Sequence, residues 1–106
     1  MSKVLVIEDN EQNLYLITFI LKQNGFEVIQ ARDGKEGITR ANDGGIAAIL
    51  LDIQLPLMDG YDVAKELRKN KDVTDVPIVA GTSYAMVGER ERALEAGCTG
   101  YIEKPI

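Results

Sequence analysis

Short apolar runs that stop abruptly at polar residues recur along this chain of 106 residues, and stretches with helical spacing or helix punctuation separate them. Val4, Leu5, Val6 and Ile7 form such a run, ended by Glu8 and Asp9, and read as a strand buried on both faces. Asn10 can cap a helix over residues 12–24 that carries Leu14, Ile17, Ile20 and Leu21, with Gly25 as its C-cap. Residues 26–30 read as a second, less apolar strand of the kind found at a sheet edge. Asp33 and Gly34 then turn into a helix of about two turns carrying Ile38 and Ala41, broken by Gly44 and Gly45.

Residues 46–51 are the most buried-looking strand, and Asp52 sits at its end. A loop punctuated by Pro56 and Gly60 leads to a helix over residues 61–69 with Val63, Ala64 and Leu67 on one side. Residues 76–80 form a fourth strand leading to Thr82 and Ser83, with Pro77 tolerable at its start. A helix over residues 88–96 is closed by Gly97. Residues 100–103 make a last short strand before Lys104, Pro105 and Ile106. Five strands alternating with four helices imply an α/β fold: a doubly wound parallel sheet with right-handed crossovers and helices on both faces. The chain stops where a fifth helix is expected to begin.

Composition narrows the function. The length suits one domain over residues 1–106, and 45% hydrophobic with 27% charged residues is ordinary globular usage. The longest apolar run, residues 46–51, is far too short to cross a bilayer, and Glu8 with Asp9 does not fit the core of a signal peptide. Seventeen acids against twelve bases, a net charge of −5, with no basic cluster, argues against direct nucleic-acid binding. The absence of histidine removes Ser-His-Asp triads and histidine-ligated zinc. A single cysteine, Cys98, makes no internal disulfide and fits a reducing compartment, so a cytoplasmic protein is expected.

In open parallel sheets, ligands bind beyond the carboxyl ends of the strands. The residues there are Glu8 and Asp9, then Asp52, then Thr82 and Ser83, then Lys104. Three carboxylates converging on one crevice repel each other unless a cation is present. Hard oxygen ligands with open positions suit Mg²⁺. A hydroxyl, backbone N–H groups and an ammonium opposite such a cation can hold phosphoryl oxygens, and a carboxylate beside it can act as nucleophile. The chemistry this suggests is phosphoryl transfer onto an aspartate. Singly, each residue has a plainer reading: Glu8 and Asp9 as a solvated strand end, Thr82 and Ser83 as a helix cap, Lys104 as a surface lysine. Their conjunction at successive strand ends carries the inference.

The segments at residues 4–9, 50–60 (with Asp52, Gln54, Pro56, Met58, Asp59 and Gly60), Thr82-Ser83 and Lys104-Pro105 resemble the receiver domain of bacterial response regulators over essentially the whole chain. Within that family the Glu8–Glu11 opening and the Ala96–Ile106 ending are most similar to small single-domain receivers of the DivK type, and similar receivers occur attached to hybrid kinases. The resemblance implies a CheY-like, flavodoxin-like strand order of 2-1-3-4-5. It implies Asp52 as phosphoacceptor, with Mg²⁺ held by Asp9, Asp52, the Gln54 backbone carbonyl and, through water, Glu8. It implies that Thr82, the Ser83 backbone N–H and Lys104 hold the phosphoryl group, and that Thr82 and Tyr101 form a switch. Gln54 and Tyr84 occupy the positions that tune dephosphorylation. For Tyr101, a half-buried sheet aromatic is an equally good reading.

The implied partners are a sensor histidine kinase or histidine phosphotransfer protein upstream and a protein target downstream, without nucleic acid or membrane insertion. Such a module catalyses only its own phosphorylation and dephosphorylation. An aspartate-nucleophile phosphatase fits less well, because that class has a second acid where this chain has Gln54. A flavin module lacks its phosphate loop: Glu8, Asp9 and Asn10 would repel the phosphate. Two features depart from the family. Gly81 stands where an aliphatic residue is usual on a face expected to be packed. The missing fifth helix should bare part of the sheet face beside the first helix, inviting a dimer through that face.

Overall fold

The computed structural model describes residues 2–53, 55, 59–70, 73, 75–82 and 88–103, with only the backbone of Thr82, Glu89 and Glu103. The alternation is realised as β1 (Lys3–Ile7), α1 (Glu11–Gln23), β2 (Glu27–Ala31), α2 (Gly34–Ala41), β3 (Ile46–Asp52), α3 (Gly60–Lys69), β4 (Ile78–Thr82), α4 (Glu89–Glu95) and β5 (Gly100–Glu103). All strand pairs are parallel, in the order β2-β1-β3-β4-β5. The chain therefore steps from β1 outward to β2, then crosses back to β3 on the other side. The crevice where the order reverses lies between β1 and β3.

Local chemistry fixes the helix ends. The Asn10 side chain accepts the Asn13 N–H at 3.0 Å, and Gly25, at φ +87°, donates to the Lys22 carbonyl as α1 ends. Asp33 accepts the Glu36 N–H at 2.7 Å, while the Glu36 carboxylate reaches back to the Arg32 N–H at 2.7 Å, an exchange close to a capping box.

Side chains alternate across β1 and divide the core. Leu5 and Ile7 join Ile49, Leu51, Ile78 and Ala80 beneath α2, α3 and α4, which contribute Ala41, Val63, Leu67 and Ala93. Val4 and Val6 face the other way, against Leu14 and Ile17 of α1. Among the described residues, α1 is the only helix on that second face, and no fifth helix is present.

This uneven cover corrects the expectation for β3. Val4 to Ile7 are all buried, whereas Ala47 is exposed and Ala48 and Leu50 are half-buried. Ile20, one of the apolar residues on the helical spacing of α1, is 40% exposed. Gly81 is buried, yet it lines a groove with Leu50, Val79 and a partly exposed Ile102 on the thinly covered face. Among the described residues, the packed surroundings expected for it are therefore incomplete on that side.

Element ends also shift. β2 begins at Glu27, because the Phe26 N–H is taken by the Leu21 carbonyl as α1 closes. β4 runs from Ile78 to Thr82 instead of over residues 76–80. The Val76 N–H turns back to the Val73 carbonyl, and Pro77 has no N–H to give. Thr82 is thus the last residue of the strand. Gly60, expected in the loop, opens α3.

Candidate functional site

The register of the central strands builds the site. Ile7 is level with Leu51, so Glu8 and Asp52 stand side by side, each one residue further on. The Glu8 backbone is held on its other side by an N–H bond to the Ala31 carbonyl at 2.9 Å. One carboxylate oxygen each from Glu8, Asp9 and Asp52 lies within 4.8 Å of the others. Glu8 is 2% and Asp52 5% exposed, while Asp9 faces solvent. The Asn10 N–H points to Glu8 Oε2 across a long 3.4 Å.

On its far side Asp52 is level with Gly81, and the Ile53 N–H bonds the Gly81 carbonyl at 3.0 Å. The next residue along β4, Thr82, therefore ends at the same edge of the sheet. The Ile53 carbonyl accepts the Gly60 N–H at 3.1 Å, docking the first turn of α3 beside the acceptor strand. Asp59 caps that turn, its side chain accepting the Tyr61 N–H at 2.7 Å. A Cβ on Gly60 would stand 2.5 Å from Ile53 Cα and 2.8 Å from the Asp52 carbonyl oxygen. Gly60 is thus a site residue that the sequence marked only as loop punctuation. The available signal was an Asp-Gly pair directly before a helical pattern, where the cap needs Asp and the approach needs no side chain.

Arg92 of α4 lies over the Tyr61 ring, 4.3 Å from its centre, and joins α4 to α3 near the same edge. Tyr101 is level with Ala80 on β5 and half-buried against the cluster beneath α2, α3 and α4. The Thr82 side chain lies outside the described residues, as do Gln54, Ser83, Tyr84 and Lys104.

Three carboxylates this close, two of them almost out of water, favour a cation in their midst. All the donors are hard oxygens, and the exposed Asp9 leaves the cluster open to solvent. That set fits Mg²⁺, which keeps waters and takes few carboxylates, better than a soft-ligand metal such as zinc.

Comparison with known proteins agrees with this geometry. A family model described as the response regulator receiver domain matches residues 4–106. The polar-differentiation response regulator DivK of Brucella ovis is 39% identical over 105 residues, which cover 99% of this chain and 85% of that protein. The receiver domain of sensor histidine kinase PA1611 from Pseudomonas aeruginosa, solved with a magnesium ion in its active site cleft, is 36% identical with a TM-score of 0.91, over 99% of this chain and 86% of that one. A chain in the co-crystal structure of the Saccharomyces cerevisiae phosphotransfer protein Ypd1 and the receiver domain of its downstream response regulator Ssk1 is 30% identical with a TM-score of 0.89, over 99% of this chain and 79% of that one.

Proposed function

Because this chain belongs to the response regulator receiver domain family, a signalling module of two-component systems rather than a turnover enzyme, we propose that Asp52 is the phosphoacceptor of a phosphorelay. The observation that carries this reading is the carboxylate cluster of Glu8, Asp9 and Asp52 at the switch point of the sheet. An Asp52 oxygen forms a P–O bond as the P–N bond of a partner's phosphohistidine breaks, and the imidazole leaves with the bonding pair and takes up a proton. Asp9, Asp52, the Gln54 carbonyl and, through water, Glu8 would hold Mg²⁺, which supplies charge neutralisation for the phosphoryl oxygens. Lys104 pairs with one of those oxygens, and the Thr82 hydroxyl and Ser83 N–H hold the others.

These new contacts at Thr82 bias a population shift that lets Tyr101 repack and changes the surface read by a downstream protein. Gln54 and Tyr84 occupy the family positions that set how long the acyl phosphate survives, the module catalysing both its own phosphorylation and its own hydrolysis. The donors are a sensor histidine kinase or a histidine phosphotransfer protein, which places the work in the cytoplasm. The whole of residues 1–106 serves as this one unit. The face left thin beside α1 is where a second copy would pack, and sedimentation velocity that shows only monomer at high concentration removes that part of the reading.

The test is transfer of labelled phosphate from a phosphorylated histidine phosphotransfer protein. Label should move to this chain as a hydroxylamine-labile acyl phosphate, fail to move to Asp52→Ala, and leave Tyr84→Ala faster than the parent. Label on the Asp52→Ala variant rejects the assignment.

A further inference from the structure

Among the described residues the sheet has two edge strands, β2 and β5, and β2 is the one flanked by a polar groove. Its residues 27 and 31 turn toward β1, since the Glu27 N–H donates to the Ser2 carbonyl and the Ala31 carbonyl accepts from the Glu8 N–H. Alternate residues of a parallel strand bond to opposite neighbours, so Val28 and Gln30 present their N–H and C=O groups outward. Both ends of this edge are sealed. The Phe26 N–H goes to the Leu21 carbonyl at 3.1 Å, and the Arg32 N–H goes to the Glu36 carboxylate at 2.7 Å. What remains is a short open stretch at the floor of a groove between α1 and α2.

The groove is built from polar groups. Thr18 and Gln30 meet at its floor through a 3.0 Å hydrogen bond, and Lys22, Arg32, Glu36 and Arg40 form its rim. Three cations against one carboxylate give the lining an excess of positive charge, on a chain whose net charge is −5. Arg32 is shared with Glu11, and Arg40 is 3.9 Å from Glu36. Among the described residues Lys22 makes no ion pair.

We propose that this groove binds an acidic extended peptide of a partner protein as an added strand on β2. Successive side chains of a strand point to opposite faces. An added strand would send one side chain toward Lys22 on the α1 side and the next toward Arg32 and Arg40 on the α2 side. Adjacent acidic residues in the peptide satisfy both rims, while its backbone pairs with Val28 and Gln30. A second copy of this chain is a poor occupant, since pairing β2 with β2 sets the same cations against each other. This inference stands independently of the phosphoacceptor reading, because none of its residues belongs to the carboxylate site.

The test uses a short fluorescein-labelled peptide of Val-Glu-Glu-Val repeats, with a Val-Lys-Lys-Val peptide as control, followed by anisotropy at low salt. The acidic peptide should bind and the basic one should not. Lys22→Glu with Arg40→Glu should weaken binding at least tenfold. Val28→Pro should weaken it similarly, because proline removes an outward donor on an edge strand without touching the ladder to β1; circular dichroism checks that each variant is folded. No binding of the acidic peptide overturns the proposal, and so does binding that survives Val28→Pro in a folded protein. Equal binding of heparin, lost on the same charge reversals, would mark the groove as a general polyanion surface and overturn it too.

Discussion

The Arg68 side chain lies directly over Gly97, with its Cγ 2.6 Å from where a Cβ at position 97 would stand and its Nε donating to the Gly97 carbonyl at 2.7 Å. The same guanidinium donates to the carbonyls of Val73 and Val76 at 2.9 and 2.6 Å, and to the Thr99 hydroxyl at 3.2 Å. One planar fork thus fastens the segments that lead into β4 and β5. Arg68→Ala is expected to cost about 3 kcal/mol, since several partly buried carbonyls lose a charged donor. Arg68→Lys should recover little, because a single ammonium cannot span the fork. Gly97 sits at φ +107°, so Gly97→Ala adds backbone strain to the clash, about 2 kcal/mol. Urea unfolding measures all three, and a change below about 0.5 kcal/mol in Arg68→Ala contradicts the role.

The approach of Gly60 to the acceptor strand makes a sharper prediction about the site. An added methyl must push against the Asp52 and Ile53 backbone, which has no rotamer by which to yield. Gly60→Ala should therefore lower the melting temperature and also weaken Mg²⁺ binding, read by calorimetric titration. Unchanged Mg²⁺ affinity would show that α3 moves away without disturbing Asp52.

Cys98 is buried, and burial pushes its thiol up to about 11, partly opposed by the charge of nearby Arg68. The folded value lies above the ordinary one of 9.0, so the folded state favours the protonated thiol. That preference contributes fully below pH 9 and is lost as pH rises toward 11. Stability should fall across this window, and Cys98→Ala should flatten that part of the decline. In the same range iodoacetamide should label the native protein far more slowly than the unfolded one. Rapid native labelling near neutral pH would contradict the burial argument.

Gly81 lies between Asp52 and Ile102 in the sheet, beside half-buried Val79. Glycine within a strand forfeits both chain stiffness and packing. Gly81→Val should gain about 1 kcal/mol and raise the melting temperature by about 4–8 °C for a domain of this size. A lower melting temperature would mean that the groove has no room for the side chain.

The strands were legible because a buried parallel sheet demands apolar runs, and because each run here stops at a polar residue. The site followed from the same pattern, as Glu8, Asp9 and Asp52 are where parallel strands deliver ligands. What sequence periodicity missed depends on contacts between distant segments. Ile20 shares the apolar spacing of Leu14 and Ile17, yet it is exposed because nothing among the described residues covers that flank of α1. Gly60 reads as a turn, and its tight seat against Asp52 and Ile53 needs the docking of α3 on β3. The end of β4 was misplaced because hydrophobicity stops at Ala80, while pairing to β3 and β5 continues through Gly81 and, toward β5, Thr82.

The phosphoacceptor assignment is tested most directly by incubating the protein with acetyl phosphate, with and without Mg²⁺, and measuring intact mass beside an Asp52→Asn control. The expected result is a gain of one phosphoryl group that requires both the metal and Asp52. No gain in a folded protein, or an equal gain in Asp52→Asn, would contradict it.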